Sequence, residues 1–444
     1  MNKEFHKKQN FFSFSDIDSE RKDRIMKFTS TEATPAPHVP PGVLRLTGAA
    51  KEDIPMYRIQ TMNKISPVGL NRFPSELYEV GDAVQDPQGI LVRSAKLLDL
   101  EFNPSLLAIA RAGVGVNNIP LDRCAAAGIP VFSTPGANAN AVKELVICAM
   151  LMGSRDIPGA IRWVREQAAS GVDVSTVVEK GKSAFIGPEL YKKTLGIIGL
   201  GAIGTLVANS AHSLGMDVYG YDPYLSVDAA WGLSRAIHVV KDINDLYKRS
   251  DYITMHIHYT EKTAHMIDAD AIAAMKRGVR VINLARGEIV DDEAMLTALD
   301  TGMVAAYITD FPNNRLLTAP HVIAMPHLGA STPESEQNCA AMAVDTLRDY
   351  LESGNIRSSV NLPEMTMDRS GVQRLCVLHK NVPGMLANIT SLFGRDGVNV
   401  ENLSNKSRGD YAYTMVDLGS KVGDNVIEDV RRTANVIRVR SLEW

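Results

Sequence analysis

The chain has 444 residues, 45% apolar and 22% charged, and a formal net charge of −4. That length exceeds one ordinary core and predicts two or three globular domains. The mild negative balance excludes a general attraction to nucleic acid or anionic membrane, and no apolar run is long enough to span a bilayer.

Residues 1–53 mix Lys, Ser, Thr and Pro, run through Thr34-Pro-Ala-Pro-His-Val-Pro-Pro-Gly42, and show no sustained periodicity. They read as a disordered extension in which Met26 offers an internal start. The segment lacks the apolar core of a signal peptide, and Asp16, Asp18 and Glu20 argue against a transit peptide, so a cytoplasmic location is expected. Cys124, Cys148, Cys339 and Cys376 carry no CxxC spacing and read as reduced thiols, mostly buried.

From Tyr57 onward short apolar runs alternate with helical patterns. Tyr57–Gln60, Gly89–Val92, Leu107–Ala110 and Ile129–Phe132 predict strands of a parallel sheet with helices on both faces. A helix over 140–153 follows, apolar on nearly every face and therefore expected to be buried. Its first turn holds Lys143, whose charge opposes the helix dipole. Either that helix end reaches water, or it faces an active site.

A second array is predicted from Leu195–Ile198, Asp217–Tyr221, Tyr252–Met255 and Val279–Asn283. His256 and His258 alternate on an extended run and point to opposite faces, so no metal is implied. Gly354–Met367, rich in Ser, Asn and Pro, reads as a linker. Beyond it Arg374–Leu378, Pro383–Ile389 and Val398–Val400 suggest a small α+β domain.

The strand ending in Gly199-Leu-Gly201-Ala202-Ile203-Gly204 leads into a predicted helix over Thr205–Leu214. In such a loop Gly199 permits the tight turn, Gly201 lets a pyrophosphate approach the backbone, and Gly204 allows close helix–strand packing. The helix N-terminus then offers N–H groups to the phosphates. Asp222, eighteen residues beyond Gly204, is placed to accept ribose hydroxyls and repel a 2′-phosphate, which favours NAD over NADP. Three later segments suit oxidation of a 2-hydroxy acid. Arg286 follows a strand and suits a carboxylate and a carbonyl gaining charge; Asp310 and then His327 follow further strands.

Taken with Leu91-Val-Arg93-Ser94 and Arg111-Ala-Gly113-Val114-Gly115-Val-Asn117-Asn118, these motifs resemble the D-2-hydroxyacid dehydrogenases, in that family's order, from about Tyr57 to the C-terminus. The resemblance implies an α/β protein of two doubly wound parallel-sheet lobes. A flavodoxin-like substrate domain would comprise 54–155 and 330–360, an inserted Rossmann NAD domain 156–329, and an ACT regulatory domain 370–444. It implies that Arg286 binds the substrate's carboxylate and carbonyl, and that Asp310 lies at the nicotinamide end of NAD. It further implies that Arg93, Ser94 and Asn138 bind a phosphate, and that the backbone at Val114 and Gly115 holds the carboxylate. Ala202 and Ile203 join the three glycines and Asp222 in the cofactor site.

One departure stands out. The family's pattern has a glutamate a few residues after Asp310 to pair with His327, whereas this chain reads Phe311-Pro-Asn313-Asn314-Arg315. An amide supplies no charge to an imidazolium. Relatives carry alanine where Lys143 stands, so Lys143 is a candidate to share or replace the acid/base role of His327.

In the tail, His379, Asn381 and Asn399 resemble the effector positions of ACT domains, which implies L-serine as a regulator. Trp163, between Arg162 and Arg165, matches a region that crosses a subunit interface in relatives, which implies a homodimer or homotetramer. The activity implied is NAD-dependent oxidation of D-3-phosphoglycerate to 3-phosphohydroxypyruvate, the first step of L-serine biosynthesis. The rival readings are a hydroxypyruvate or glyoxylate reductase or other D-2-hydroxyacid dehydrogenase, and a non-enzymatic NAD-sensing corepressor.

Overall fold

The computed structural model describes residues 56–444, and the expectations for residues 1–53, Met26 among them, lie outside the described residues. Five short strands come first: β1 (Tyr57–Met62), β2 (Tyr78–Gly81), β3 (Gly89–Val92), β4 (Ala108–Arg111) and β5 (Val131–Phe132). All pair in parallel in the order β2-β1-β3-β4-β5, a flavodoxin-like arrangement. β3 is buried at all four positions, as its unbroken Gly-Ile-Leu-Val run requires of a strand covered on both faces.

The second sheet holds β6 (Thr194–Ile198), β7 (Asp217–Tyr221), β8 (His238–Val239), β9 (Tyr252–Met255), β10 (Val279–Asn283), β11 (Val304–Thr309) and β12 (Val322–Ala324). Its order, β12-β11-β10-β9-β6-β7-β8, is the 3-2-1-4-5-6 order of dinucleotide-binding folds counted from β6, with β12 added outside. The strand order reverses at β6, so the crevice for a ligand opens where the glycine loop emerges.

A third, antiparallel sheet joins β13 (Gln373–Lys380), β14 (Val400–Arg408), β15 (Tyr411–Leu418) and β16 (Val436–Glu443) in the order β14-β15-β13-β16. Helices Met385–Arg395 and Asp424–Arg432 cover one face. The βαββαβ succession is the split βαβ unit, and the small α+β element read in the tail is present, with its second strand starting at Val400 rather than Val398.

The 139–155 helix corrects one expectation. Ala139, Ala141, Val142, Val146, Ala149, Met150 and Ser154 are buried, yet Glu144, Cys148 and Leu151 are exposed. One face packs against the 202–213 helix and the second sheet while the other stays open. A helix apolar all round in sequence is thus covered on one side within this chain.

The segment read as a linker is also different. Ile356, Leu362 and Met365 are buried. Val360 N donates to Val131 O at 2.9 Å, and Asn361 Oδ1 accepts from Val131 N at 2.9 Å. Polar side chains here complete the edge of β5, and the apolar residues between them fill a core shared with the third sheet. That core joins Ile59, Leu91 and Phe132 to Val344, Leu347 and Tyr350 of the 333–353 helix, and to Cys376, Leu378, Tyr413 and Met415.

The 333–353 helix starts with Thr332 accepting from Ser335 N at 3.1 Å and Pro333 in the first turn. It ends on Gly354, whose φ of 74° is the left-handed conformation glycine adopts without strain. The carbonyls of its last turn, which lack the full set of intrahelical partners, take further donors from the C-terminal unit. Arg440 donates to Tyr350 O at 3.1 Å and Leu351 O at 2.9 Å, Arg374 to Ser353 O at 2.8 Å, and Tyr413 to Gly354 O at 2.7 Å. Cations at a helix C-terminus also complement its dipole.

Helices Ile157–Ala169 and Val174–Gly181 bury no residue. Trp163 is not the exposed aromatic the sequence suggested: it is half-buried against Phe185, with ring centroids 6.0 Å apart. Ile161, Val164 and Val178 on this arm are exposed instead.

Candidate active site

Gly199 has φ 92°, and a Cβ there would lie 2.6 Å from His256 O. At Gly204 a Cβ would lie 1.9 Å from Gly199 O, so helix and strand touch through backbone alone. Gly201, by contrast, faces open space. It caps the 202–213 helix without a side-chain hydrogen bond, which leaves the first-turn N–H groups at Ala202 and Ile203 available to an anion. At the end of β7, Asp222 accepts from Leu200 N at 2.9 Å and Tyr224 N at 2.8 Å, fixing a carboxylate beside the glycine turn. These groups fit a dinucleotide. Gly136 of the first lobe reaches this loop, a Cβ there lying 3.2 Å from that of Ala202.

Arg286 leaves the second sheet just beyond β10, donates to Ala285 O at 2.6 Å, and lies against the other lobe. A Cβ on Gly115 would be 3.1 Å from Arg286 Nη2. The Val114–Gly115 backbone and the guanidinium therefore line one spot, as a carboxylate site needs. The Arg286 guanidinium sits over the Phe311 ring at 5.6 Å, and Phe311 packs on His327 with centroids 4.6 Å apart.

Asp310, at the end of β11, is buried; one carboxylate oxygen accepts from Gly329 N at 3.3 Å and the other has no partner among the described residues. Burial raises its pKa, opposed by the nearby His327 and by backbone N–H groups. Asn313, in the stretch where a glutamate partner for His327 was expected, donates to Asp292 at 2.6 Å and accepts from Arg315 N and Leu316 N. Among the described residues no side chain hydrogen-bonds the His327 ring. Its electrostatic neighbour is Asp310.

Lys143 Nζ donates to Asn140 Oδ1 at 2.6 Å and lies 3.7 Å from Glu144 Oε1, with its side chain 19% exposed. The preceding Val142 packs at Gly329, two residues beyond His327, which brings this first turn to the histidine loop. In the same turn region Asn138 Oδ1 and Thr134 Oγ1 are buried without partners among the described residues.

Arg93 follows β3 and donates to Glu336 at 2.6 Å. Ser94 N donates to Asn63 Oδ1 at 3.1 Å. Arg111, a motif residue with no role expected from sequence, donates from Nε to Arg93 O at 3.1 Å, and its pKa is lowered by burial and by nearby Arg286 and Arg93. Three guanidiniums thus converge on the cleft. Arg111 could have been found from its place at a strand end before the glycine-rich turn; Glu336 left no such signal.

His256 contacts Thr254 Oγ1 at 3.2 Å, and burial pushes its pKa down to about 3, which keeps it neutral beside the cofactor loop. In the third sheet His379 is buried between Lys380 O at 2.8 Å and Thr414 Oγ1 at 2.9 Å, and Asn381 donates to Gly409 O at 3.1 Å. Asn399 lies beside the Leu418 end, whereas His379 pairs with Ala412; one chain does not bring the three together.

Residues 147–329 match the NAD binding domain of the D-isomer specific 2-hydroxyacid dehydrogenases. A D-3-phosphoglycerate dehydrogenase of Escherichia coli is 32% identical over 380 residues, covering 82% of this chain and 89% of that one. One from Synechocystis is 35% identical over 326 residues, covering 71% of this chain and 56% of that one. The chain spans between 55% and 60% of the length of this and two further relatives of that name. Among solved structures, an NAD+-bound 3-phosphoglycerate dehydrogenase of Entamoeba histolytica gives a TM-score of 0.53 at 26% identity, covering 69% of this chain and 99% of that one.

Proposed function

The chain belongs to the D-isomer specific 2-hydroxyacid dehydrogenases, and from that membership we propose that it oxidises D-3-phosphoglycerate to 3-phosphohydroxypyruvate with NAD. The observation that carries the substrate choice is the convergence of Arg93, Arg111 and Arg286 on the cleft. A substrate with a carboxylate at one end and a phosphate at the other suits that set.

Bound NAD+ supplies the acceptor for the C2 hydrogen. Arg286 and the Val114–Gly115 backbone hold the carboxylate, and Arg286 stabilises the carbonyl oxygen as it forms. Arg93, Ser94 and Asn138 take the phosphate. The C2 hydroxyl proton needs a base. His327 lacks a carboxylate hydrogen-bond partner, while Lys143 is held by Asn140 close to the same loop, and these facts support Lys143 as sharing or taking that role.

L-serine is the proposed effector of the C-terminal unit, with His379 and Asn381 of one copy meeting Asn399 of another. The two ends of the sheet are about 20 Å apart along the strands, so a homodimer or larger oligomer is part of this reading. The exposed apolar arm at 157–181 supports an oligomer as well. Four free cysteines favour the cytoplasm; among the described residues no helix is long and apolar enough to cross a membrane. The Arg93–Glu336 pair favours a second reading, a hydroxypyruvate or glyoxylate reductase, because it already neutralises the phosphate arginine.

The test is NADH oxidation with 3-phosphohydroxypyruvate beside hydroxypyruvate, each with and without L-serine. Strong preference for the phosphorylated keto acid is expected, with inhibition by serine. Preference for hydroxypyruvate moves the chain to the reductase reading.

A further inference from the structure

Glu336 lies in the first turns of the 333–353 helix, 243 residues from Arg93 in sequence, and its Oε1 accepts from Arg93 Nη2 at 2.6 Å. The side chains are 40% and 45% exposed, so neither is locked in place by burial. A carboxylate in a cleft built to attract anions calls for an explanation. Glu334 and Glu336 are both favoured near a helix N-terminus by its dipole, but that does not require Glu336 to contact Arg93.

We propose that Glu336 is a specificity-determining residue that competes with the substrate's phosphate for Arg93. This rests on the reading of Arg93 as a phosphate ligand. Arg93 stands near Arg111, whose charge is already disfavoured by burial and by two neighbouring guanidiniums. Glu336 offsets that repulsion in the chain alone. A phosphate at Arg93 offsets it better, with more charge and more acceptor atoms. It then meets the carboxylate at close range, and the two anions repel. Glu336 therefore weakens every ligand that places an anion at Arg93 and leaves ligands without one unaffected. The exchange is feasible because an exposed ion pair of this kind holds only weakly.

Glu336→Gln keeps the shape and an amide oxygen for Arg93 while removing the charge. The KM for 3-phosphohydroxypyruvate should fall about two- to fivefold, the range given by a partly exposed pair, with the KM for hydroxypyruvate unchanged. The difference should shrink as salt is raised, as screening requires. Calorimetric titration of inorganic phosphate into both proteins, with cofactor present, reads the same competition without turnover, and the variant should bind more tightly. A KM for the phosphorylated substrate that stays the same or rises, an equal shift for both keto acids, or unchanged phosphate affinity would overturn the proposal. If the wild-type protein shows no preference for the phosphorylated keto acid, the assigned substrate is wrong. The phosphate titration then still decides whether Glu336 and an anion compete for Arg93.

Discussion

Arg374 and Asp417 are both 0% exposed and form a forked pair in the third sheet, at 2.5 Å through Nε and 2.8 Å through Nη2. Asp417 also accepts from Ser370 N at 2.9 Å and Ser370 Oγ at 3.0 Å, and Arg374 donates to Ser353 O and Asp368 O. Asp417→Ala leaves a buried guanidinium with two carbonyls and no counter-charge. Removing one partner of such a pair costs about 3–5 kcal/mol. At a urea slope near 2 kcal/mol per molar, the midpoint should fall by about 1.5–2.5 M. Trp444 reports the site directly, since its ring lies 5.2 Å from the Arg374 guanidinium and its Nε1 donates to Gly371 O. With Trp163 and Trp231 replaced by Phe, its fluorescence follows this unit, where a whole-chain transition would mix several domains. Arg374→Met with Asp417→Leu should recover most of the loss, because the cost lies in the unpaired charge. A loss below about 1 kcal/mol in the single variant would mean that water reaches the arginine and that the burial argument is wrong.

Lys143→Ala should lower turnover by about 10²–10⁴, the usual contribution of an acid/base group, and by more than His327→Ala; a mild effect beside a severe histidine variant would return the role to His327. Asp310 has a raised pKa, so its contribution to stability is present below the unfolded carboxylate value and lost as pH rises through the folded one. Asp310→Asn should therefore raise the melting temperature of the cofactor-free protein at neutral pH while lowering turnover, and a lower melting temperature would show the carboxylate to be well paired. Gly204→Ala drives a Cβ into Gly199 O and should cost about 1–3 kcal/mol, read as weaker NAD binding in a fluorescence titration; unchanged affinity would count against the close-packing role.

The second sheet and the cofactor loop were legible because their signals are local. A strand, three glycines, a helix and Asp222 lie within about thirty residues, and each obeys a rule that needs no distant partner. Arg286 and His327 were readable for the same reason, as side chains delivered by strand ends. What escaped is tertiary. Glu336 looks like any acid in a first helical turn until Arg93 folds against it. Gly354–Met367 has the composition of a linker, and only the presence of the β5 edge turns its Ser and Asn into structural partners. Trp163 is covered in part by Phe185, which lies beyond the next helix and could not be paired with it from spacing alone.

Glu336 and the contacts that hold the C-terminal unit lie along one element. The 333–353 helix carries Glu336 against Arg93 near its start, and its last carbonyls are held by Arg440, Arg374 and Tyr413. At 21 residues it spans about 30 Å. Packed against the third sheet in one core, it offers a continuous path by which a shift of that sheet would reach Glu336. Arg440→Met tests this, since it removes one donor each from Tyr350 O and Leu351 O at the far end of the helix from Glu336. If the helix couples the two ends, the KM for the phosphorylated keto acid changes in Arg440→Met, and the change is lost when Glu336→Gln is also present. Additive effects in that double-mutant cycle would leave the helix a scaffold, and an effector bound to the third sheet would have to act on the cleft by another route.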